Sequence, residues 1–435
     1  MSSILKPVRD PSIQTLDKIL NDIVENIRVL QDFYNTSSLP GPSFEPTQLA
    51  VAKDDQNPRD VEIAKNEIMD SSLLLFDLCS GPSKILSHLT VAYQTVACLR
   101  WLCHFNVLKN VPHVGTISFS DLADSSKVPV SSLKTISRMA MTAHILCEPQ
   151  SEQVQHTAAS ALLARSSALH DWALIMGIEP VDIAMKMVEA TERWPQGGKI
   201  NETAFNVALD TDLPFFQHLQ KNPELLAKYT EYQRAVSGTE GLDLKHVVHG
   251  YDWKKLGVST VIDVGGAEGL AAIALAEQYP GLSFIVQELP DVVAIGEKYL
   301  TNLRNDAIAS RVSYAVHDFF APQPQPAEVF LVRMVLHYWS PEDCVRILQQ
   351  LASAMASEKS RIIVMDTVLP MPGRISSVVE RQLRVRDLAM LQLHGNHERT
   401  EEDWNAIFAS TNPPLRVVET NLPFGSEMSI MELAI

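Results

Sequence analysis

The feature that most constrains the fold is a series of five short apolar runs, which begins near residue 259 of the 435-residue chain. Helix-length amphipathic stretches separate these runs. Alternation of buried strands with helices predicts a mainly parallel sheet that carries helices on both faces. Two later runs, RVVETN and MSIMELAI, predict two further strands at an antiparallel edge. The five runs are, in chain order, TVIDVGG, LSFIVQEL, VSYAV, VFLVRMVL and SRIIVMDTVL.

The region before the predicted sheet is mainly helical in its patterning. Residues 117–146 predict helix, tight turn and helix, and a hairpin around CEPQSEQVQHT follows, which is a winged-helix pattern. We therefore expect an α/β fold in which a Rossmann-like, doubly wound domain follows a winged-helix and dimerisation domain. The predicted divisions are 1–58 for an N-terminal helix and linker, 59–250 for the helical winged-helix-like dimerisation and substrate-lid domain, and 251–435 for the Rossmann-like domain.

Two helices of the N-terminal half carry apolar surfaces that need a partner. Over residues 12–34, apolar side chains recur at three- and four-residue steps, on a helix that Ser12 would cap. The proline-containing stretch 35–48 predicts a linker, so we expect this helix to pack on a second subunit. Residues 83–105 predict a strongly apolar, buried helix.

Composition and charge exclude several classes of partner. A formal net charge of −16 argues against a protein that binds nucleic acid or anionic lipid through its overall field. The second helix of the winged-helix pattern offers only Lys134 and Arg138 to DNA. Five cysteines without a CxxC pair indicate reduced thiols and no zinc site. Without a signal peptide or a membrane-length apolar window, we expect a soluble, cytoplasmic protein with small-molecule partners.

The segment VIDVGGAEG lies between a predicted strand and a predicted helix. Gly265 and Gly266 let the backbone approach a ligand, although a tight turn without a ligand has the same composition. Glu288 ends the next strand about twenty residues later, where a carboxylate accepts the ribose hydroxyls of an adenosine. The adjacent glycines after Asp263 differ from the G-x-G-x-x-G dinucleotide fingerprint. They favour S-adenosylmethionine over a nicotinamide cofactor.

Asp318 and Phe319 directly follow the run VSYAV. The Asp318 carboxylate can accept the exocyclic amine of an adenine, and the Phe319 ring can stack beside the base. Alone, Asp318 is better explained as a helix cap or a loop carboxylate. Because the carboxyl ends of parallel strands meet at one edge, several acids after strands favour a binding crevice there.

His337 lies just beyond the strand FLVRMVL, at the same predicted edge. A histidine can remove the proton of a phenol near neutral pH, as transfer of a methyl group to oxygen requires. A structural histidine beside Trp339 is the alternative. Asp366 and Glu398 occupy matching places, where a carboxylate can fix the imidazole tautomer and stabilise the imidazolium. Asp366 could instead cap a loop, and Glu398 could belong to the solvated run ERTEED.

Together these motifs resemble the caffeate-type, or class II, small-molecule O-methyltransferases of plants and fungi, with the fungal natural-product branch most similar. The resemblance covers nearly the whole chain from about residue 60. It rests on DVGGAEG, QELPDV, HDFF, LHYWSPEDCVRIL and NHERTEEDW, in that order. It implies S-adenosylmethionine as cofactor, a hydroxylated phenolic or polyketide-type acceptor, and a homodimer in which N-terminal helices interlock.

The resemblance also implies residue roles. His337 would be the general base, with Asp366 and Glu398 as its supporting acids. The implied cofactor residues are Asp263, Gly265, Gly266, Glu288, Leu289, Asp318, Phe319 and Arg333, the last replacing the usual lysine. The implied acceptor-pocket residues are Met390, Leu393, His394 and Asn396, all of which ordinary packing would also explain.

Three departures from the family pattern are visible. Ala267 replaces a frequent third glycine, one carboxylate is Asp instead of the plant Glu, and the segment before Glu398 differs from the plant sequence. The last departure leaves the acceptor open.

Three other functions compete with methyl transfer. Fungal proteins of this fold also catalyse pericyclic reactions or dehydrations with the cofactor bound, its positive sulfur acting electrostatically. The complete set of His337, Asp366 and Glu398 favours methyl transfer, because a pericyclase needs no base supported by two acids. The acidic charge disfavours a DNA-binding regulator. The chain shows no further cluster of oxygen ligands, so we expect no catalytic metal.

Overall fold

The structure is a computed structural model, in which two compact units form. One unit comprises Asp10–Lys186 and Leu219–Ala235, and the other contains Met187–His218 and Val236–Ile435. The residues that the structure describes are 15–37, 39–46, 57–176 and 179–435.

The division differs from the predicted boundary at residue 250. Residues 187–218 and 236–250 cluster with the sheet, whereas the sequence interpretation placed them with the helical domain. The reason is packing, because Val247 joins the hydrophobic core that includes Val261 and Phe284 of the sheet.

The unit that contains the N-terminal helices is helical apart from one small sheet. The described part of the first helix begins at Leu16, and the Lys18 N–H donates to the Thr15 hydroxyl at 3.3 Å. The predicted cap, Ser12, lies outside the described residues. The elements of this part are α1 (Leu16–Ser37), α2 (Arg59–Ser80), α3 (Ile85–His104), α4 (Val107–Asn110), β1 (Ile117–Ser118), α5 (Phe119–Ser126), α6 (Val130–Met141), β2 (Cys147–Gln150), β3 (Gln153–Gln155), α7 (Ala158–Arg165), α8 (Ser167–Met176) and α9 (Glu179–Ala184).

The winged-helix prediction is confirmed. Helices α5 and α6 precede a three-stranded antiparallel sheet in the order β1-β3-β2. The acidic wing covers the basic residues of α6, since Arg138 pairs with Glu148 at 2.8 Å and Lys134 pairs with Glu152 at 2.5 Å. These pairs leave α6 without the unopposed positive charge that DNA binding requires.

Helix α3 is not buried along its length, contrary to the prediction. Leu86 and Leu89 are 73% and 58% exposed, whereas Leu102 and Cys103 at the C-terminal end belong to the core of this unit. The apolar composition correctly predicted a helix, but only the last turns of this helix pack into the core formed with α5 and α6. No helix within the described ranges has both the length and the apolar character needed to cross a membrane.

The second unit is built on a seven-stranded sheet in the order β6-β5-β4-β7-β8-β10-β9. Helix α12 begins in this unit, whereas most of α13 clusters with the helical unit. The remaining elements are α10 (Met187–Arg193), α11 (Ala204–Ala208), α12 (Phe215–Lys221), α13 (Pro223–Ser237), α14 (Lys245–His249), β4 (Ser259–Val264), α15 (Leu270–Gln278), β5 (Leu282–Glu288), α16 (Pro290–Leu303), α17 (Asp306–Ala309), β6 (Val312–Val316), β7 (Val329–Arg333), α18 (Pro341–Ser353), β8 (Arg361–Asp366), α19 (Ser377–His394), α20 (Glu401–Ala409), β9 (Arg416–Asn421) and β10 (Ser429–Ala434).

The five predicted apolar runs are the five parallel strands β4 to β8, which confirms the doubly wound fold. Only one of the two C-terminal strands is antiparallel to them. β10 pairs antiparallel with both β8 and β9, so it lies inside the sheet and β9 forms the edge. All six residues of β10 are buried, whereas β9 alternates between half-buried and exposed residues.

Strand order places a crevice at the end of β4. β4 pairs with β5 on one side and with β7 on the other, so the chain reverses its direction of progress across the sheet at this strand. Ligands of open α/β sheets bind at the carboxyl ends of strands at such a reversal. The side chains that follow β4, β5, β7 and β8 therefore define the place where a site is expected.

Candidate active site

The glycine turn after β4 is closely packed. Gly265 has a φ of +67°, and a Cβ at this position would lie 3.0 Å from the Val335 side chain. A Cβ at Gly266 would lie 2.5 Å from the Asp263 carboxylate, so a larger residue cannot be accommodated without rearrangement. Ala267 also adopts a positive φ of 50°, which an L-residue adopts only at a cost. The turn thus brings the backbone to the crevice without a side chain in the way.

Glu288, the last residue of β5, lies beside this turn. Its carboxylate accepts the Ala267 N–H at 3.1 Å and the Leu289 N–H at 2.9 Å, one on each oxygen. Burial raises the pKa of Glu288 above its usual value, while the two N–H donors lower it. Each oxygen retains acceptor capacity, so the carboxylate can receive two ribose hydroxyls.

Asp263 and Arg333 are buried charged residues at the ends of β4 and β7. Burial raises the pKa of Asp263 to about 7, and one of its oxygens has no hydrogen-bond partner among the described residues. Burial lowers the pKa of Arg333 to about 10, against the opposing charge of Asp263. The Arg333 guanidinium donates to the Leu242 carbonyl at 2.8 Å. An unsatisfied buried carboxylate oxygen fits a site that a polar cofactor completes.

Asp318 and Phe319 lie on the loop after β6. A Cβ at Gly265 would lie 3.6 Å from the Phe319 ring, so the structure brings this ring to the glycine turn. The Asp318 carboxylate accepts the Phe320 N–H at 3.0 Å and is therefore a loop cap, as the alternative interpretation held. Its contact with an adenine amine stays a prediction.

His337, Asp366 and Glu398 are brought together from three separate segments. His337 lies in a short 3-10 turn after β7, Asp366 ends β8, and Glu398 precedes α20. The imidazole Nδ1 is 3.0 Å from the Glu398 Oε1 and 3.8 Å from the Asp366 Oδ1. Its other nitrogen, Nε2, is buried and has no partner in the described part of the chain. With Nδ1–H donating to Glu398, the Nε2 lone pair is left for a proton from outside the protein.

The electrostatics of the three residues favour this arrangement. Burial lowers the pKa of His337, but the carboxylates of Glu398 and Asp366 outweigh burial, so the pKa is raised overall. Burial raises the pKa of Glu398, but the His337 imidazole outweighs it and the pKa is lowered. Burial raises the pKa of Asp366 to about 6. The His337 imidazole and the Glu398 carboxylate thus favour each other's charged form.

His394, at the end of α19, lies in an aromatic cluster next to the base. Its ring centroid is 5.2 Å from those of Phe215 and Phe216 and 4.8 Å from that of Tyr338. The Tyr338 ring is in turn 4.1 Å from the His337 ring. Burial lowers the pKa of His394 to about 3, so the ring is neutral. Its Nε2 has no hydrogen-bond partner among described residues.

The other three acceptor-pocket residues are placed differently, and Leu393 is half-buried on α19. Met390 is buried near the end of α19. The Asn396 side-chain amide donates to the carbonyls of Trp339 and His337, the latter at 3.3 Å. Asn396 therefore holds the backbone beside the base, and its amide nitrogen is engaged within the protein.

Sequence reasoning missed two residues of this region. Arg399 is fully buried although it belongs to the charged run ERTEED, and its guanidinium donates to the Leu336 carbonyl at 3.0 Å and to the Trp339 carbonyl. Met334 has a φ of +55° and turns the chain sharply between β7 and the base. A charged run normally predicts a solvated surface, and no sequence signal distinguishes one buried member.

The crevice therefore combines a closely packed glycine turn and the Glu288 carboxylate with a buried histidine whose Nε2 has no partner among the described residues. Such a combination is typical of group-transfer enzymes of the doubly wound class.

Comparison with known proteins agrees with this class. A family model described as an O-methyltransferase domain matches residues 195–412. O-methyltransferase aoiF of Aspergillus oryzae is 41% identical over 423 residues, which is 96% of this chain and 99% of the relative. The crystal structure of OxaC superposes with a TM-score of 0.76 at 20% identity, over 96% of this chain and 98% of that one. A structure described as a pericyclic reaction enzyme superposes at 0.72 and 20% identity, over 89% and 97% of the two chains.

The chain belongs to the O-methyltransferase family, and the resemblance drawn from its motifs is confirmed. It is an S-adenosylmethionine-dependent O-methyltransferase. The two solved structures show only that the fold is shared, because their identity to this chain is low.

Proposed function

We propose that this enzyme transfers a methyl group from S-adenosylmethionine to a hydroxyl of a small phenolic or polyketide-type secondary metabolite, with His337 as general base. The observation that carries the proposal is the imidazole of His337, whose Nδ1 lies 3.0 Å from Glu398 while its buried Nε2 has no described partner. A lone pair held in this way accepts the proton that a hydroxyl must lose to become a nucleophile.

Residues at the ends of β4, β5 and β6 would hold the cofactor. Glu288 would accept the ribose hydroxyls, Phe319 would lie against the adenine, and the backbone at Gly265 would pass close to the ligand. The unsatisfied oxygen of Asp263 fits a cationic or hydrogen-bond-donating part of the same molecule. When bound, S-adenosylmethionine supplies an electrophilic methyl group on a positive sulfur.

The chain contributes positioning and proton removal. His337 accepts the hydroxyl proton at Nε2, and the carboxylates of Glu398 and Asp366 stabilise the resulting imidazolium. The aromatic rings around His394 form an apolar surface that suits a planar acceptor. We place His394 and Met390 in the acceptor pocket and assign Asn396 to the loop that carries the base.

The test is a pair of variants with opposite expected effects. His337→Ala should lower kcat by roughly 100- to 10,000-fold, the typical contribution of a general base, and should leave S-adenosylmethionine affinity nearly unchanged. Glu288→Ala should instead weaken cofactor affinity, measured by calorimetry. Undiminished turnover in His337→Ala would remove the histidine from the mechanism.

A pericyclase or dehydratase that uses the bound cofactor without transferring its methyl group is the second candidate. The shared fold favours neither reaction, but the complete set of His337, Glu398 and Asp366 favours methyl transfer. Incubation with methyl-deuterated S-adenosylmethionine and a panel of phenols and polyketides distinguishes them by mass spectrometry. Label in the product supports transfer, whereas an isomerised or dehydrated product without label supports the alternative.

We also propose that the enzyme is a homodimer formed through its N-terminal helices. Leu16 and Leu20 of α1 are 59% and 58% exposed, and Leu86 and Tyr93 of α3 are exposed as well. Contiguous apolar surface of this kind marks protein–protein contact. The acid-covered helix α6 of the winged-helix motif supports the absence of a nucleic-acid partner.

A further inference from the structure

Arg399 is a fully buried arginine whose hydrogen bonds go to the backbone that carries the base. Its guanidinium donates to the Leu336 carbonyl at 3.0 Å and to the Trp339 carbonyl, the residues on either side of His337 and Tyr338. The planar guanidinium has donors fixed in one geometry, so two simultaneous bonds constrain the position of the turn.

The same arginine is tied to the strand end that carries Asp366. The Leu369 N–H donates to the Arg399 carbonyl at 2.8 Å, which pairs the segment after β8 with the segment before α20. The guanidinium also lies 5.0 Å from the centroid of the Trp404 ring, whose indole N–H donates to the Thr367 carbonyl at 3.0 Å. Arg399 therefore connects the base-bearing turn to both acid-bearing segments.

The charge of Arg399 acts on the two acids. It lowers the pKa of Asp366 and that of Glu398, opposing burial in both cases. Arg386 lowers both pKa values too, although its guanidinium is paired with Glu427 at 2.9 Å.

Other titratable groups also face the cluster. The His337 imidazole lowers the pKa of both acids. The Asp387 carboxylate accepts the Glu398 N–H at 2.9 Å. Burial lowers the pKa of His394 to about 3 and raises the pKa of the Cys344 thiol to about 12. Arg399 and Arg386 therefore supply positive charge to both acids, and Arg333 interacts with Asp366 as well.

We propose that Arg399 is a positioning residue for methyl transfer, which holds the turn bearing His337 by two carbonyls and brings its positive charge to the two acid-bearing segments. The inference rests on the proposed role of His337 as general base. It separates into a geometric part, which needs both hydrogen bonds, and an electrostatic part, which needs only the charge.

Two substitutions separate these parts. Arg399→Lys retains a positive charge, but a single ammonium lacks the planar set of donors that reaches both carbonyls. Its kcat should fall by about 100-fold, the effect of a misplacement of roughly 1 Å, while the acid limb of the pH profile stays in place. Arg399→Gln removes the charge as well. The cluster then binds protons more tightly, so the acid limb should also move to higher pH, by about one unit.

The control is Arg311→Gln. The Arg311 guanidinium likewise donates to backbone carbonyls, those of Ala276 at 2.6 Å and Leu282 at 3.0 Å. Arg311 directly precedes β6 and so lies at the amino-terminal ends of the parallel strands, whereas His337 follows the carboxyl end of β7. Its loss should lower the melting temperature without moving the acid limb, which separates a general loss of stability from the effect proposed here.

Two measurements keep the inference distinct from the proposed function. Titration of the histidines by NMR without acceptor reports the protonation of the cluster independently of turnover. The midpoint of this titration should move to higher pH in Arg399→Gln only. Wild-type kcat in Arg399→Lys would overturn the geometric part, even if Arg399→Gln fails to fold. An unmoved titration in folded Arg399→Gln would overturn the electrostatic part. Full activity of His337→Ala would instead refute the proposed function, leaving the titration result to stand.

Discussion

At the scale of single residues, the two nitrogens of His337 have different environments. Nδ1 faces Glu398 and Asp366, whereas Nε2 is buried without a described partner. The acids raise the pKa of the imidazole, and protonated imidazole cannot accept a proton. Activity should therefore be lost as the pH falls through the raised pKa of His337. The supporting acids strengthen the base but also set the pH below which it stops working.

Asp366→Asn should move the pH below which activity is lost. The Asp366 carboxylate raises the pKa of His337, so a neutral amide lowers that pKa and moves the acid limb of kcat/KM to lower pH. The limiting kcat should fall by about tenfold or more, because the imidazolium loses a stabilising charge. A pH profile of the purified variant measures both effects. Glu358→Gln, at the other end of β8, is the control, and an upward shift in Asp366→Asn would contradict the assignment.

At the scale of elements, Glu288 and Asp366 end strands, His337 follows a strand and Glu398 precedes a helix. Thr400 and Asp403 form a capping box at the start of α20, with the Asp403 N–H donating to the Thr400 hydroxyl at 3.2 Å and the Thr400 N–H donating to the Asp403 carboxylate at 2.9 Å. This cap fixes the helix directly after Glu398 and Arg399. The local start of α20 thereby sets the position of two site residues.

Thr400→Ala should cost about 1 kcal/mol of unfolding free energy, the usual effect of losing such a cap. It should also lower kcat, because the segment that carries Glu398 is then less firmly held. Thr157 forms the same capping box with Ser160 at the start of α7, in the other unit. Thr157→Ala is therefore the matched control, expected to lose similar stability in denaturant unfolding with kcat preserved. Equal kcat in both variants would separate the cap from catalysis.

At the scale of the whole molecule, the N-terminal helices leave apolar surface that the described residues do not cover. Helix α1 packs on α2, yet Leu16 and Leu20 of α1 remain exposed, and so do Leu86 and Leu89 of α3. Burial of such surface in a second copy is favourable by about 25 cal/mol for each Å². The proposed dimer would therefore be stabilised by the same physics that forms the core.

The dimer prediction is tested by light scattering after size exclusion. The wild-type chain should have twice its monomer mass at micromolar concentration, and the double variant Leu86→Arg, Leu89→Arg should be monomeric because two buried charges lack partners. Val258, 93% exposed in the loop before β4, supplies the control Val258→Arg, which should stay dimeric. A monomeric wild-type protein would refute the dimer.

The sequence by itself determined the fold class and where the acids and the histidine would meet. Short apolar runs become parallel strands whose carboxyl ends share one edge of the sheet. Residues at or just after these strand ends therefore lie at that edge, among them Glu288, Asp318, His337 and Asp366. Local chemistry also determined the start of α20, because a capping box involves residues only three apart. These inferences rest on spacing along the chain, which the sequence displays directly.

Only the tertiary structure decided the rest. The burial of Arg399, the hydrogen bonds of Asn396 to the base-bearing turn, the exposed half of α3 and the interior position of β10 all depend on contacts between segments distant in sequence. From sequence alone, a charged run is predicted to be solvated and an apolar helix is predicted to be buried. The neighbouring segments in the fold decide whether either prediction holds. The physical reason is that periodicity reports which face of an element is apolar, whereas burial and hydrogen bonding depend on what the fold places against that face.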